Sequence, residues 1–493
     1  MRSDPVLLGL AAASIAVLLV LVIRVRLEPF VSLLLVAAAV GVAAGLPLEK
    51  IVPTMEDGLG AVLAHVAPIV GLGAMLGKML ELSGGAQTIA DKLLGVFGPD
   101  RAPLALGATG LIFGIPVFFD VGVIVLAPVV YAAYVAGGRS KSILYYCLPL
   151  AGGLAIVHGL LPPHPGAVAA SGLLGVGFGY VILFGLICAV PAWIAGGLLY
   201  SRWIADRIDV ALPDYVEETF HDEYEEARRT VGEPLAPPAI TDDGGGVAVL
   251  APPEAEPVVA WSAPQPVAPS IELGTVLGII LLPLVLILMQ TFGSILITDE
   301  SSDVRSVLDF IGAPMMALVV AVLVSFYVLG IRRGWSKEHL VTVAENALKP
   351  VGMILLVVGA GAAFGHVLVQ SGVGDVLSAN LSATGLPLIV LAFVIALALR
   401  IAQGSATVAI IATTGIIGPL VKTEALSQPR LALIVVALGA GATAASHIND
   451  AGFWLVSRLF GISEKDTLKS WTVMETIMGF TALATAASLS LVL

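Results

Sequence analysis

Along the chain, long apolar runs alternate with short polar breaks, and most runs approach the roughly 20 residues a helix needs to cross a bilayer. Two predicted spans, Val6 to Ile23 and Phe30 to Leu46, open the sequence, joined by a turn carrying Arg24, Arg26 and Glu28. No small-residue cleavage site follows the first, which reads as a retained span rather than a signal peptide. From Ile51 to Gly98 the hydrophobicity softens, interrupted by Pro, Gly and scattered polar residues. This predicts a re-entrant helical hairpin with Ser83, Gly84 and Gly85 near its tip. The run that starts at Pro103 is too long for one span and is interrupted by Gly114, Pro116 and Asp120. It predicts a broken helix with Asp120 at the break. A small-residue helix, AGGLAIVH, then ends at His158 against Pro162, Pro163, His164 and Pro165. A span from about Gly175 to Tyr200 closes the half.

The same order returns after residue 270. Two predicted spans, Ile271 to Phe292 and Val307 to Leu329, are followed by GHVLVQSGVG, which matches GKMLELSGGA at an offset of 288 and places Ser371 where Ser83 stands. The segment from Pro387 matches the one from Pro103 at an offset of 284, so Gln403, Gly404 and Ser405 fall at the equivalent break. AGATAASH then matches AGGLAIVH at 289, pairing His447 with His158. Basic residues mark the cytoplasmic side of membrane proteins. In the first half the basic turn joins the opening pair of spans, whereas in the second half RRGWSK follows the pair. That opposite order predicts an all-α polytopic membrane protein built from two inverted-topology repeats, each with a re-entrant hairpin and broken helices. Residues 1–200 form the first repeat and 271–493 the second, with both termini outside and the connection between them in the cytoplasm.

Composition agrees with this. Of 493 residues, 58% are hydrophobic and 12% charged, and the mean hydropathy is +1.00, which excludes a soluble globule. Cys147 and Cys188 lie in apolar segments and carry no redox signal. The net charge of −12 is not spread over the molecule. Between Asp206 and Glu256 stand 14 acidic residues against three arginines, which accounts for nearly all of it. Residues 201–270, acidic and then Pro and Ala-rich, read as a cytoplasmic linker, a solvated tether rather than a packed domain.

Against this apolar background a few polar residues stand out. Arg400 lies far from either end of its apolar run and needs an anionic partner, either a substrate carboxylate or Asp120 or Asp450. Asp120, His158, His447 and Asp450 are the groups able to carry a proton. Gln403, Ser405, Thr407 and Asn449 are hydrogen-bonding groups of the kind that read hydroxyls, although such residues also pack helices together. Ser83 and Ser371, at the hairpin tips, could present helix N-terminal N–H groups to an anion. His164, held between prolines, reads as decorating a turn, and His65 and Lys78 are weaker candidates. No P-loop, zinc-protease signature or nucleophile elbow is present, so ATP-driven pumping and membrane proteolysis lose support. No metal or cofactor site and no nucleic-acid partner is expected. A proton gradient fits the acids and histidines, while a sodium site of backbone carbonyls would leave no residue signature.

In FGIPVFFDVGVIVLAPV, LAIVHGLLPPHPGA, RIAQGSATVA and ASHINDAGFWLVSR the sequence resembles the gluconate permease family, the gluconate:proton symporters of bacteria. The four motifs occur in order across both halves. The resemblance implies a secondary active transporter, proton-coupled, that takes up gluconate or a related sugar acid across the inner membrane. It implies a small organic anion and protons as partners in the bilayer, and a homodimer with a moving transport domain. Carriers for D-serine, glycerate or small dicarboxylates, with sodium coupling, remain the alternative. A channel or a membrane enzyme is the alternative of a different class.

Overall fold

The computed structural model describes residues 4–98, 101–137, 141–212, 271–297, 299, 301–349, 351–372, 376, 386–424, 426–448 and 450–493. The linker thus lies almost wholly outside the described residues. Among the described residues the protein is all helix, with no strand. In the first half the helices are α1 (Asp4–Leu19), α2 (Pro29–Ala44), α3 (Leu48–Leu82), α4 (Gly85–Phe97), α5 (Ala102–Phe113), α6 (Phe119–Ala136), α7 (Leu144–Leu160), α8 (Pro165–Leu174) and α9 (Phe178–Ala192). The second half holds α10 (Leu273–Leu296), α11 (Asp303–Gly312), α12 (Pro314–Ser325), α13 (Lys337–Leu348) and α14 (Val351–Gln370). It continues through α15 (Leu388–Gln403), α16 (Ala406–Thr423), α17 (Gln428–Thr443), α18 (Ala451–Leu459) and α19 (Val473–Ser490).

Among the described residues seven helices, α3, α6 and α10 among them, are long and apolar enough to cross a membrane. Others are too short. At 1.5 Å per residue, the 12 residues of α5 and the 16 of α15 and α17 span about 18 to 24 Å, less than the roughly 30 Å of hydrocarbon. Helices this short leave an end inside the membrane, and such ends persist only where protein or a water-filled cavity covers them.

The hairpin expected at Ser83 is present. Ser83 and Gly84 turn the chain, Gly84 taking a left-handed φ of 81° between α3 and α4. The interruption expected before it is absent: α3 runs unbroken for 35 residues through Pro53 and Pro68, long enough to cross the bilayer. Ser371 and Gly372 end α14 in the same way, with φ 74° at Gly372, while most of the arm beyond falls outside the described residues. The second span of the second half also differs from expectation. It begins at Pro314 rather than Val307, because the preceding DVRSVLDFIG carries three charges and forms the separate amphipathic helix α11.

Both expected helix breaks occur. Residues 114–118 separate α5 from α6, and Gly404 and Ser405 separate α15 from α16. Close helix contact holds these pieces together. A Cβ on Gly153 of α7 would come within 2.5 Å of the Gly107 carbonyl of α5, and one on Gly441 of α17 within 2.4 Å of the Phe393 carbonyl of α15. The two halves meet where a Cβ on Gly439 of α17 would stand 2.5 Å from the Gly159 carbonyl of α7. Absent side chains at these positions let the backbones approach, the device by which membrane helices associate without a hydrophobic drive.

Candidate functional site

Helix ends from both halves meet around one cavity of about 480 Å³. Its wall includes Asp120 at the start of α6, His158 near the end of α7, His164 leading α8, Arg400 near the end of α15, Asp450 before α18, and Glu475 in α19. Ser405, Thr407 and Thr443 complete the polar lining, and Phe118, Phe119 and Trp471 the aromatic part. The volume falls within the roughly 300 to 1,000 Å³ usual for small-molecule sites.

Arg400 is buried, and its Nη2 donates to Asp450 Oδ2 at 2.5 Å. Its Nη1 donates to the Gly404 carbonyl, which the left-handed Gly404 (φ 80°) turns back toward it. Asp450 is held in place from behind. Ser446 Oγ donates to its Oδ2, Trp471 Nε1 donates to Ser446 Oγ at 2.7 Å, and the Gly452 N–H donates to Oδ1 at 3.2 Å as Asp450 caps α18. The ion-pair alternative for Arg400 is therefore realised, with Asp450 as partner. It leaves Arg400 Nε buried with no hydrogen-bond partner. Buried charges of this kind are stable only when compensated, so the pair sets the local charge balance of the cavity.

Also in the wall, His158 and His164 pack edge to face with ring centroids 4.5 Å apart. His164 Nε2 lies 3.2 Å from Thr407 Oγ1 across the interface between halves, and its Nδ1 is buried without a partner. Ser405 caps α16, its Oγ accepting from the Val408 N–H at 3.4 Å.

Of the residues singled out from the sequence, Asp120, His158, Arg400, Ser405, Thr407 and Asp450 line the cavity. Ser83 and Ser371 do not. Each hydroxyl instead donates three residues back, to the Leu80 and Leu368 carbonyls, closing the end of its own helix. The Ser83 carbonyl is further tied to Arg333 Nη1 at 2.8 Å. His447 lies beside the cavity rather than in its wall, with Nδ1 2.9 Å from the Ala445 carbonyl. Asn449 and the side chain of Gln403 lie outside the described residues.

Two titratable wall residues escaped the sequence reading. His164 looked like turn decoration because prolines flank it, yet it is 4% exposed and joins the halves. Glu475, in the first turn of α19, is 3% exposed, and an acid inside an apolar run was the signal that could have found it.

Comparison with known proteins gives this arrangement a family. The model of the GntP family permeases matches residues 6–232 and 260–492. The chain belongs to the GntP permease family. It is 39% identical over 477 residues to the inner membrane permease YgbN of Escherichia coli K12, with 96% of each chain covered. Identity to the gluconate permease of Pseudomonas aeruginosa is 37% over 497 residues, covering 100% of this chain and 99% of that one. Identity to the low-affinity gluconate transporter of E. coli K12 is 35%, covering 95% of each. Among solved structures, the Alcanivorax borkumensis YdaH transporter shares the fold, with a TM-score of 0.59 at 14% identity over 93% of this chain and 96% of that one. This GntP permease is thus a membrane transporter and not an enzyme, a multi-pass protein of the bacterial inner membrane.

Proposed function

We propose that this GntP permease takes up gluconate or a related sugar acid together with protons. The observation that carries this reading is a buried guanidinium, Arg400, in the wall of a cavity of about 480 Å³, with a free Nε and with hydroxyls of Ser405, Thr407 and Thr443 nearby. A carboxylate suits the guanidinium, and a polyhydroxylated tail suits the hydroxyls. The names of its relatives from P. aeruginosa and E. coli support gluconate as the solute. Asp120, His158 and Asp450 in the same wall supply groups for proton exchange.

Transport by alternating access follows from two inverted repeats meeting at the cavity, a reading supported by the paired helix breaks and glycine contacts. We read the carrier as a homodimer, as the family resemblance implies. Counterflow into proteoliposomes tests the solute: external labelled gluconate is expected to accumulate against internal gluconate and other aldonates. Counterflow by D-serine or a small dicarboxylate but not by aldonates would replace gluconate with those solutes. Labelled uptake driven by a sodium gradient alone would remove the proton.

A further inference from the structure

Glu475 is an acidic wall residue of the cavity with no role in the binding and proton exchange proposed for Arg400, Asp120, His158 and Asp450. It sits in the first turn of α19, buried, and its Oε1 has no hydrogen-bond partner. The charged and titratable groups around it come from several helices. Arg400 belongs to α15 and Asp450 to the connection between α17 and α18, and these are the charges that act on its carboxyl. Asp120 of α6, His158 of α7 and His164 before α8 line the same cavity. At the surface end of the lead-in to α19, Lys469 pairs with Asp466.

One guanidinium neutralises one carboxylate. In the structure Asp450 holds Arg400 through Nη2, the Gly404 carbonyl holds Nη1, and Nε stays free. An ionised Glu475 would then be a second buried negative charge, stable only if it also drew on Arg400. A solute carboxylate in the cavity needs the same guanidinium charge. The ionised Glu475 and the solute anion therefore compete for one cation, and protonation of Glu475 removes the competitor.

We infer that Glu475 carries the co-transported proton, its carboxyl taking a proton from water on the outer side to admit the solute anion beside Arg400 and returning it to water on the inner side as the anion leaves. Only an O–H bond is made and broken, and the proton and the anion travel together. Because the solute requires the protonated acid, its affinity falls as pH rises. This inference rests on the reading of proton-coupled sugar-acid uptake.

The test uses the full chain in proteoliposomes, with labelled gluconate and a pH-sensitive dye inside. The wild type is expected to acidify the interior when gluconate enters, and its gluconate exchange to weaken as pH rises. Glu475→Gln, a neutral mimic of the protonated acid, is expected to lose gluconate-linked acidification, so that the protons moved per gluconate exchanged fall to near zero, and to lose the pH dependence of its exchange. Glu475→Asp restores the carboxyl and is expected to restore acidification with a shifted pH profile. A purely structural role would lower exchange without changing the protons moved per gluconate. Wild-type acidification by Glu475→Gln overturns the inference alone. If Glu475→Gln does not fold, Glu475→Asp with an unshifted pH profile overturns it. A wild type that exchanges gluconate with no linked proton movement overturns the proton-coupled reading, and this inference with it.

Discussion

Arg400 and Asp450 hold each other at 2.5 Å inside the cavity wall, so each is the condition for the other's burial. Replacing Asp450 by Asn keeps one side-chain acceptor but removes the negative charge that balances the guanidinium. Loss of one partner of a buried pair costs about 3 to 5 kcal/mol, and a lower melting temperature in detergent is the expected readout. If Arg400 meets the solute carboxylate, added gluconate should recover part of that loss in Asp450→Asn, by about 2.7 kcal/mol at a hundredfold excess over Kd. No ligand-dependent recovery would detach Arg400 from the solute. Arg400→Lys keeps the charge but loses the planar fork, and binding is expected to weaken by roughly 1.5 to 3 kcal/mol in equilibrium binding measurements. At this scale the sequence was most informative about isolated charges. Arg400, Asp120 and Asp450 stand out because the hydrocarbon around them has no other use for a charge. It was least informative where a polar residue doubles as punctuation: His164 between prolines, and Glu475 near the start of its apolar run.

The breaks at residues 114–118 and at Gly404 were legible because Gly, Pro and a polar residue interrupt runs too long for one span. The unbroken α3 was not, since whether a helix absorbs Pro53 and Pro68 depends on neighbours that supply contacts from outside the segment. Nor does the sequence reveal which faces touch. That depends on positions such as Gly439, whose Cα sits so close to α7 that a Cβ would stand 2.5 Å from the Gly159 carbonyl. Gly439→Ala must push α7 and α17 apart, and such overpacking typically costs about 1 to 3 kcal/mol. The expected result is a lower melting temperature, with gluconate exchange reduced because the cavity wall is carried by both helices. Unchanged stability would mean that this crossing is slack.

Across the whole molecule, the charge order of the loops predicts that residues 201–270 face the cytoplasm. A cysteine introduced at Trp261 is expected to resist an impermeant thiol reagent in intact cells and to react in inverted vesicles; labelling in intact cells would reverse the orientation of both halves. The cavity itself belongs to neither half. Asp120, His158 and His164 come from the chain before the linker, and Arg400, Thr407, Asp450 and Glu475 from the chain after it. A gene encoding one half could therefore never have been selected for this chemistry in isolation, unless two copies of that half had first paired face to face. The same seam gives the covalent connection its use, because two polypeptides made separately in one membrane would have to find each other before either could bind anything.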